Sequence, residues 1–156
     1  MSQLKNALPE NTELRRFLNS LTDWVWEMDV NGIHTYSNDA VKTILGYEAS
    51  ELIGRHVSMF WPQEFATPEK IEMFNVDLKE GVPWQHFRGR FRHKNGEMKI
   101  LESSAEPLYD EQGELIGFRG IDRDIEETIQ HEQELEKSNA LYCVESDQFG
   151  SFELNK

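Results

Sequence analysis

Residues 84–123 read WQHFRGRFRHKNGEMKILESSAEPLYDEQGELIGFRGIDR, and their reading decides the fold. Three runs in this stretch alternate with a period of two, the period of a β-strand whose side chains point to opposite faces in turn. One face takes Phe87, Gly89 and Phe91, then Leu101, Ser103 and Ala105, then Phe118, Gly120 and Asp122. The opposite face of the first run carries Arg88, Arg90 and Arg92. Between the first two runs stands Asn95-Gly96, a strong hairpin signal because both residues tolerate the positive φ of a tight turn. Residues 110–113, closed by Gly113, make a second turn. The spacing predicts strands over residues 84–93, 97–109 and 115–123, joined as an antiparallel meander.

Upstream, Trp24, Trp26 and Met28 alternate with Val25, Glu27 and Asp29. Asp29-Val30-Asn31-Gly32 is a turn, and residues 33–37 complete a hairpin. Before it, Leu14, Phe17, Leu18 and Leu21 recur at helical spacing, with Asn11 or Thr12 placed to cap. After it, Asn38 precedes a helix carrying Ala40, Val41, Ile44 and Leu45, which Gly46 ends. A short turn of helix around residues 50–53 stops at Gly54. Thr67-Pro68-Glu69 sets a cap, a first-turn proline and an acid at a helix start. Ile71, Phe74 and Leu78 form that helix's stripe, and Gly81 closes it. Two strands, several short helices and a three-strand meander predict an α+β fold, with helices against one face of an antiparallel sheet.

The 156 residues suit one domain with flanking helices. The net charge of −13 argues against nucleic acid and against an anionic membrane surface. Residues 124–156 hold nine acidic side chains against Lys137 and Lys156, the mark of a separate solvated segment. Cys143 is the lone cysteine, so no internal disulfide forms and a reducing compartment fits. No apolar run reaches the roughly 18 residues of a membrane span. The N-terminus lacks signal-peptide regions. Together these predict a cytoplasmic chain, standing alone or within a membrane-tethered protein.

The ordered pieces Trp26-Glu27-Met28-Asp29 with Gly32, Tyr36-Ser37-Asn38, Leu45-Gly46-Tyr47 and Glu51-Leu52-Ile53-Gly54 continue into Arg92-His93-Lys94-Asn95-Gly96, Pro107-Leu108-Tyr109-Asp110 with Gly113, and residues 117–125. Each piece is weak alone. In this order and spacing the chain resembles the PAS family over residues 14–128. The resemblance implies a five-stranded antiparallel sheet of order 2-1-5-4-3 with helices on one face. It implies an N-terminal flanking helix at residues 1–22, a core at 23–124 and a linker helix at 125–144. The family's closing Asp-Ile-Thr is Asp124-Ile125-Glu126 here, so the junction lacks its usual threonine. Residues 151–155 echo residues 25–29, so residues 145–156 read as the truncated start of a second such domain, or as a chance match.

Site residues follow from the inward set. Trp26, Met28, Gly89, Leu101, Ser103, Ala105, Phe118, Gly120 and Asp122 are the candidate cavity positions. Two readings stand: large side chains fill the space above the small ones, or a small ligand sits there with Asp122 and Ser103 as polar anchors. The resemblance also tests cofactors. Val57 occupies the place of the reactive cysteine in light-sensing flavin members, which excludes cysteinyl-flavin chemistry. Residues 71–80 hold no histidine, against haem, although His56 and His86 lie near; flavin without the cysteine stays open. The five histidines lack metal-ligand spacing, and no nucleophile or phosphate-loop motif occurs, so neither a metal nor an enzyme activity is expected.

Signal relay is expected at Glu27, Arg123, Asp124 and Ile125, with Glu27 and Arg123 as an exposed cross-strand pair. A homodimer is expected through Leu14, Phe17, Leu18 and Leu21. The exit helix, with Ile125, Ile129, Leu135 and Tyr142, makes a poor heptad. The function implied is a sensory input module. Its effector in the same polypeptide would be a histidine kinase, a diguanylate cyclase or a chemoreceptor. The alternative is a ligand-free dimerisation module.

Overall fold

The computed structural model describes residues 12–148, with side chains through residue 140. The order is α1 (Thr12–Ser20), β1 (Trp24–Asp29), β2 (His34–Ser37), α2 (Ala40–Leu45), α3 (Ala49–Leu52), two 3-10 turns (Val57–Phe60 and Gln63–Phe65), α4 (Pro68–Leu78), β3 (Trp84–Arg92), β4 (Met98–Tyr109), β5 (Leu115–Asp124) and α5 (Glu126–Gln148). The five strands form one sheet of order β2-β1-β5-β4-β3, and every neighbouring pair is antiparallel.

Two turns share one device. Asp29 accepts from the backbone N–H groups of Asn31 and Ile33, and Asp110 accepts from those of Gln112 and Glu114. In each, one carboxylate replaces the backbone partners that a tight turn leaves unpaired. Helix α4 starts as its sequence requires, with Thr67 accepting from the Lys70 N–H and Pro68 in the first turn. Gly46 ends α2 at φ 82°.

The core lies between one sheet face and the middle helices. Trp24, Trp26, Met28, Leu101 and Phe118 from the sheet bury against Val41, Ile44, Leu45, Leu52, Phe60 and Leu78. Burying each large apolar side chain contributes about 1.5–3 kcal/mol, so this layer dominates the stability of the domain.

Asn38 caps no helix; the residue at that position before α2 is Asp39. The Asn38 side chain is fully buried, accepts from the Val25 N–H, and donates to the carbonyls of Leu18 and Asp23. It ties the end of α1 to the first hairpin. The apolar stripe of α1 is also placed differently from its expected role. Leu18 is buried on Val25, with Leu14, Leu21 and Tyr36 packed beside it, so α1 covers part of the outer sheet face. Only Phe17, 58% exposed, keeps its ring in solvent.

The chain divides after Asp124 into two compact units. The second contains α5, whose first turn carries Glu126 and Glu127 where the helix dipole favours acids. It runs past the expected end at residue 144. Residues 1–11 of the N-terminal flank, and residues 149–156 with the echoed segment 151–155, lie outside the described residues.

Candidate ligand cavity

A cavity of about 290 Å³ opens against the covered face of the sheet. β1 contributes Trp24, Trp26 and Met28, and β2 contributes His34. The first 3-10 turn and the residue after it bring Val57, Phe60 and Trp61; α4 adds Phe74. β3 supplies Trp84, Phe87 and Phe91, β4 Ser103, and β5 Asp122.

Cross-strand register builds the polar centre. Trp24 stands opposite Asp122, and Ser103 stands opposite Asp122 on the other side. The Trp26 Nε1–H donates to Asp122 Oδ1 at 2.9 Å. The Trp84 Nε1–H donates to Ser103 Oγ at 3.0 Å, and the Ser103 hydroxyl is hydrogen-bonded to the Asp122 carboxylate. Burial raises the Asp122 pKa from its ordinary 3.8 to about 6, against the opposing pull of its Ser103 and Trp26 hydrogen bonds. His34 is shifted by the same cause in the other direction, down to about 4. Its Nδ1 lies 3.1 Å from the Arg55 carbonyl, which only accepts, so the neutral ring carries its proton there.

Of the nine candidate positions, Trp26, Met28, Ser103 and Asp122 line the cavity. Leu101, Ala105 and Phe118 are buried in the core instead. The space above Gly120 is filled: a Cβ there would meet the Trp26 indole. Gly89 sits between the rings of Phe87 and Phe91. Trp84 was hidden by a bulge. Trp84 pairs with Ala105 and Phe87 with Ser103, so two residues on β3, Gln85 and His86, stand against one on β4, Ser104. His86, at φ 54°, absorbs the extra residue and lets Trp84 and Phe87 both reach the cavity. His34, Val57, Phe60, Trp61 and Phe74 come from separate elements, which strand alternation does not bring together. His56, near α4, has its ring nitrogens engaged with Asn75 and the Ser58 N–H. His86 faces solvent beside Glu102. No group of three metal-binding side chains exists among the described residues.

The expected Glu27–Arg123 pair is replaced by two others. Glu27 stands opposite Arg119, and their charged groups meet at 2.7 Å. Arg123 reaches Asp23 at 3.1 Å. Alternation places Arg119 and Arg123 on the same outer face, four residues apart, and the register selects the first. Nor is Glu27 exposed: it is 1% accessible, flanked by Arg119 and by its β2 neighbour Tyr36. Burial raises its pKa, while the Arg119 hydrogen bond and charge pull it down. Asp124 pairs with Lys99 of β4, and Ile125 opens the second unit.

Arg119→Met is therefore expected to lower the unfolding free energy by about 2 kcal/mol, less than a fully buried pair because the Arg119 side chain is 38% exposed. Glu27→Gln removes the buried charge and is expected to cost less. Urea unfolding compares the two; equal losses would assign the effect to packing rather than to an abandoned carboxylate.

The sequence profile described as the PAS fold matches residues 12–125. The biofilm dispersion protein BdlA of Pseudomonas aeruginosa is 27% identical over 132 residues, covering 80% of this chain and 31% of that one. Sporulation kinase C of Bacillus subtilis is 26% identical over 134 residues, covering 86% and 31%. The chain thus spans about a third of the length of these relatives. A crystallised PAS domain from Colwellia psychrerythraea superposes with a TM-score of 0.60 at 26% identity, covering 72% of this chain and 94% of that one. Sheet order, motif order and profile agree, and the chain belongs to the PAS family.

Proposed function

We propose that this chain is the sensory input module of a larger signalling protein, has no catalysis of its own, and takes a small ligand in the cavity at Asp122. The observation that carries this is the cavity itself: aromatic walls around one buried carboxylate, in a sheet whose last strand leads into α5. Asp122 touches the cavity, and Asp124 ends the same strand two residues later. A shift of β5 on ligand binding would change the Lys99–Asp124 and Arg123–Asp23 pairs at the strand's end, and pass through Ile125 into α5. Glu27, bound to Arg119 of β5, couples β1 to the same movement. The effector is a kinase, as the relationship to sporulation kinase C favours, or a diguanylate cyclase or chemoreceptor. No helix among the described residues is long and apolar enough to cross a membrane, and we place the module in the cytoplasm. Neither haem nor cysteinyl flavin is assigned to the cavity.

The test fills the cavity in the intact signalling protein. Val57→Phe adds bulk to the lining and is expected to fix the output at one level across the signal range. Equal response curves for wild type and variant would reject cavity sensing.

Homodimerisation is the second part of the proposal. An apolar groove lined by Phe17, Leu21, Leu108 and Ile121 runs beside α1 on the outer sheet face. Both Phe17 and Ile121 are exposed, and such a patch fits a second copy. Phe17→Asp is expected to leave stability within about 0.5 kcal/mol, as at other exposed positions, while shifting sedimentation to the monomer. A wild-type monomer at high micromolar concentration would reject the dimer.

A further inference from the structure

The cavity walls are of one chemical kind. All four tryptophans of the chain line it, together with Phe60, Phe74, Phe87 and Phe91. Aromatic faces carry the negative part of the ring quadrupole and attract cations. No lysine or arginine belongs to the lining. Asp122 and His34 are its two titratable side chains, and His34 sits with its proton committed to the Arg55 carbonyl. Negative potential therefore accumulates at Asp122 without a positive group in the walls to balance it.

The carboxylate also has unused capacity. An ionised Asp offers about four lone-pair sites. Its partners in the structure are the Trp26 indole N–H and the Ser103 hydroxyl, both neutral donors. Buried charges are ordinarily paired with an opposite charge. We propose that the missing charge is the ligand's: the cavity takes an organic cation, a protonated or quaternary amine on a small apolar body. The ammonium lies against Asp122 and the body against the aromatic walls. The inference rests on reading this cavity as the sensor's ligand site. A carboxylate ligand would meet Asp122 as a like charge. A purely apolar one would seal the carboxylate in without an opposite charge.

Titration calorimetry on the full chain at neutral pH tests the charge requirement with three probes that share one benzene ring: phenethylammonium, phenethyl alcohol and phenylacetate. Phenethylammonium is expected to bind about tenfold or more tightly than the alcohol, the factor that a charged hydrogen bond supplies, with no binding of phenylacetate. Asp122→Asn keeps the side-chain shape and an acceptor for Trp26, and is expected to bring the cation down to the level of the alcohol. Equal or tighter binding of the alcohol or the anion overturns the proposal while leaving a cavity that binds ligands. So does an unchanged cation affinity in Asp122→Asn. Silence from all three probes overturns it too, and the Val57→Phe response curves then decide separately whether the cavity senses anything.

Discussion

Asp122→Asn is expected to stabilise the unliganded protein by about 3 kcal/mol at pH 7 and to leave it unchanged near pH 4. The folded-state pKa of about 6 lies above the ordinary 3.8, so folding takes up a proton between those values. Stability from this group is present below that window and is lost as pH rises through it. Above the window the fold carries an ionised carboxylate that the unfolded chain would hold at no cost. Asparagine removes that charge. His34 works against this in the wild type. Its folded pKa of about 4 lies below the ordinary 6.5, so the unfolded chain takes up a proton that the fold refuses. Stability from His34 falls as pH drops through that range. The two slopes have opposite sign and overlap between about pH 4 and 6, each near 1.4 kcal/mol per pH unit, so they largely cancel. Removing Asp122 exposes the His34 slope. Urea unfolding of wild type and Asp122→Asn across this range measures the difference; a gap that stays constant from pH 4 to pH 7 would reject the assignment. A carboxylate that weakens the fold is what a site held for function, rather than for stability, leads one to expect.

Gly120→Ala is expected to cost about 3 kcal/mol, the sum of overpacking and a lost hydrogen bond to a buried carboxylate. A methyl group at this position would occupy the space of the Trp26 indole. That ring is buried on the sheet and stacked at 6.2 Å on Trp84, so it can retreat only toward the cavity it lines. Displacing it also pulls its N–H from Asp122 and reshapes the cavity. Gly89→Ala is the matched control. Its added methyl would approach Phe87 and Phe91, and the Phe87 ring, 60% exposed, can swing outward. Its cost is expected below about 1 kcal/mol. Chemical denaturation of both variants checks the contrast, and similar losses would show that Trp26 is not held as described.

The fold was legible because its signals are local. Period-two alternation marks the strands, and Asn95-Gly96 and the two Asp-to-Gly turns mark where they reverse. The sheet order came from the family resemblance and not from periodicity. Alternation also assigns faces but not register, since residues two and four apart are equivalent to it. That is why Glu27 was matched to Arg123 when the ladder sets it against Arg119. Asn38 sits where a helix cap belongs, yet it bonds to residues 13 to 20 positions earlier, a long-range tie that a local signal does not carry. Asp122 and Ser103 were legible as inward polar groups on neighbouring strands. Of the aromatic walls, Trp26, Phe87 and Phe91 were legible by alternation. Trp84 was not, because a bulge at His86 turns it inward, and neither were Phe60, Trp61 and Phe74, which the 3-10 turn and α4 bring in.

The gathering of every tryptophan around one cavity gives the chain an intrinsic optical reporter. Its ultraviolet emission is dominated by indoles, and all of them face the same small volume. The ring centroids of Trp24 and Trp26 are 6.4 Å apart, and those of Trp26 and Trp84 are 6.2 Å apart. At such spacing excitation passes readily between rings, so a quencher beside one indole drains the others. Occupancy of the cavity is thus readable in the unlabelled wild-type protein as a change in brightness and colour. No surface tryptophan adds a constant background among the described residues.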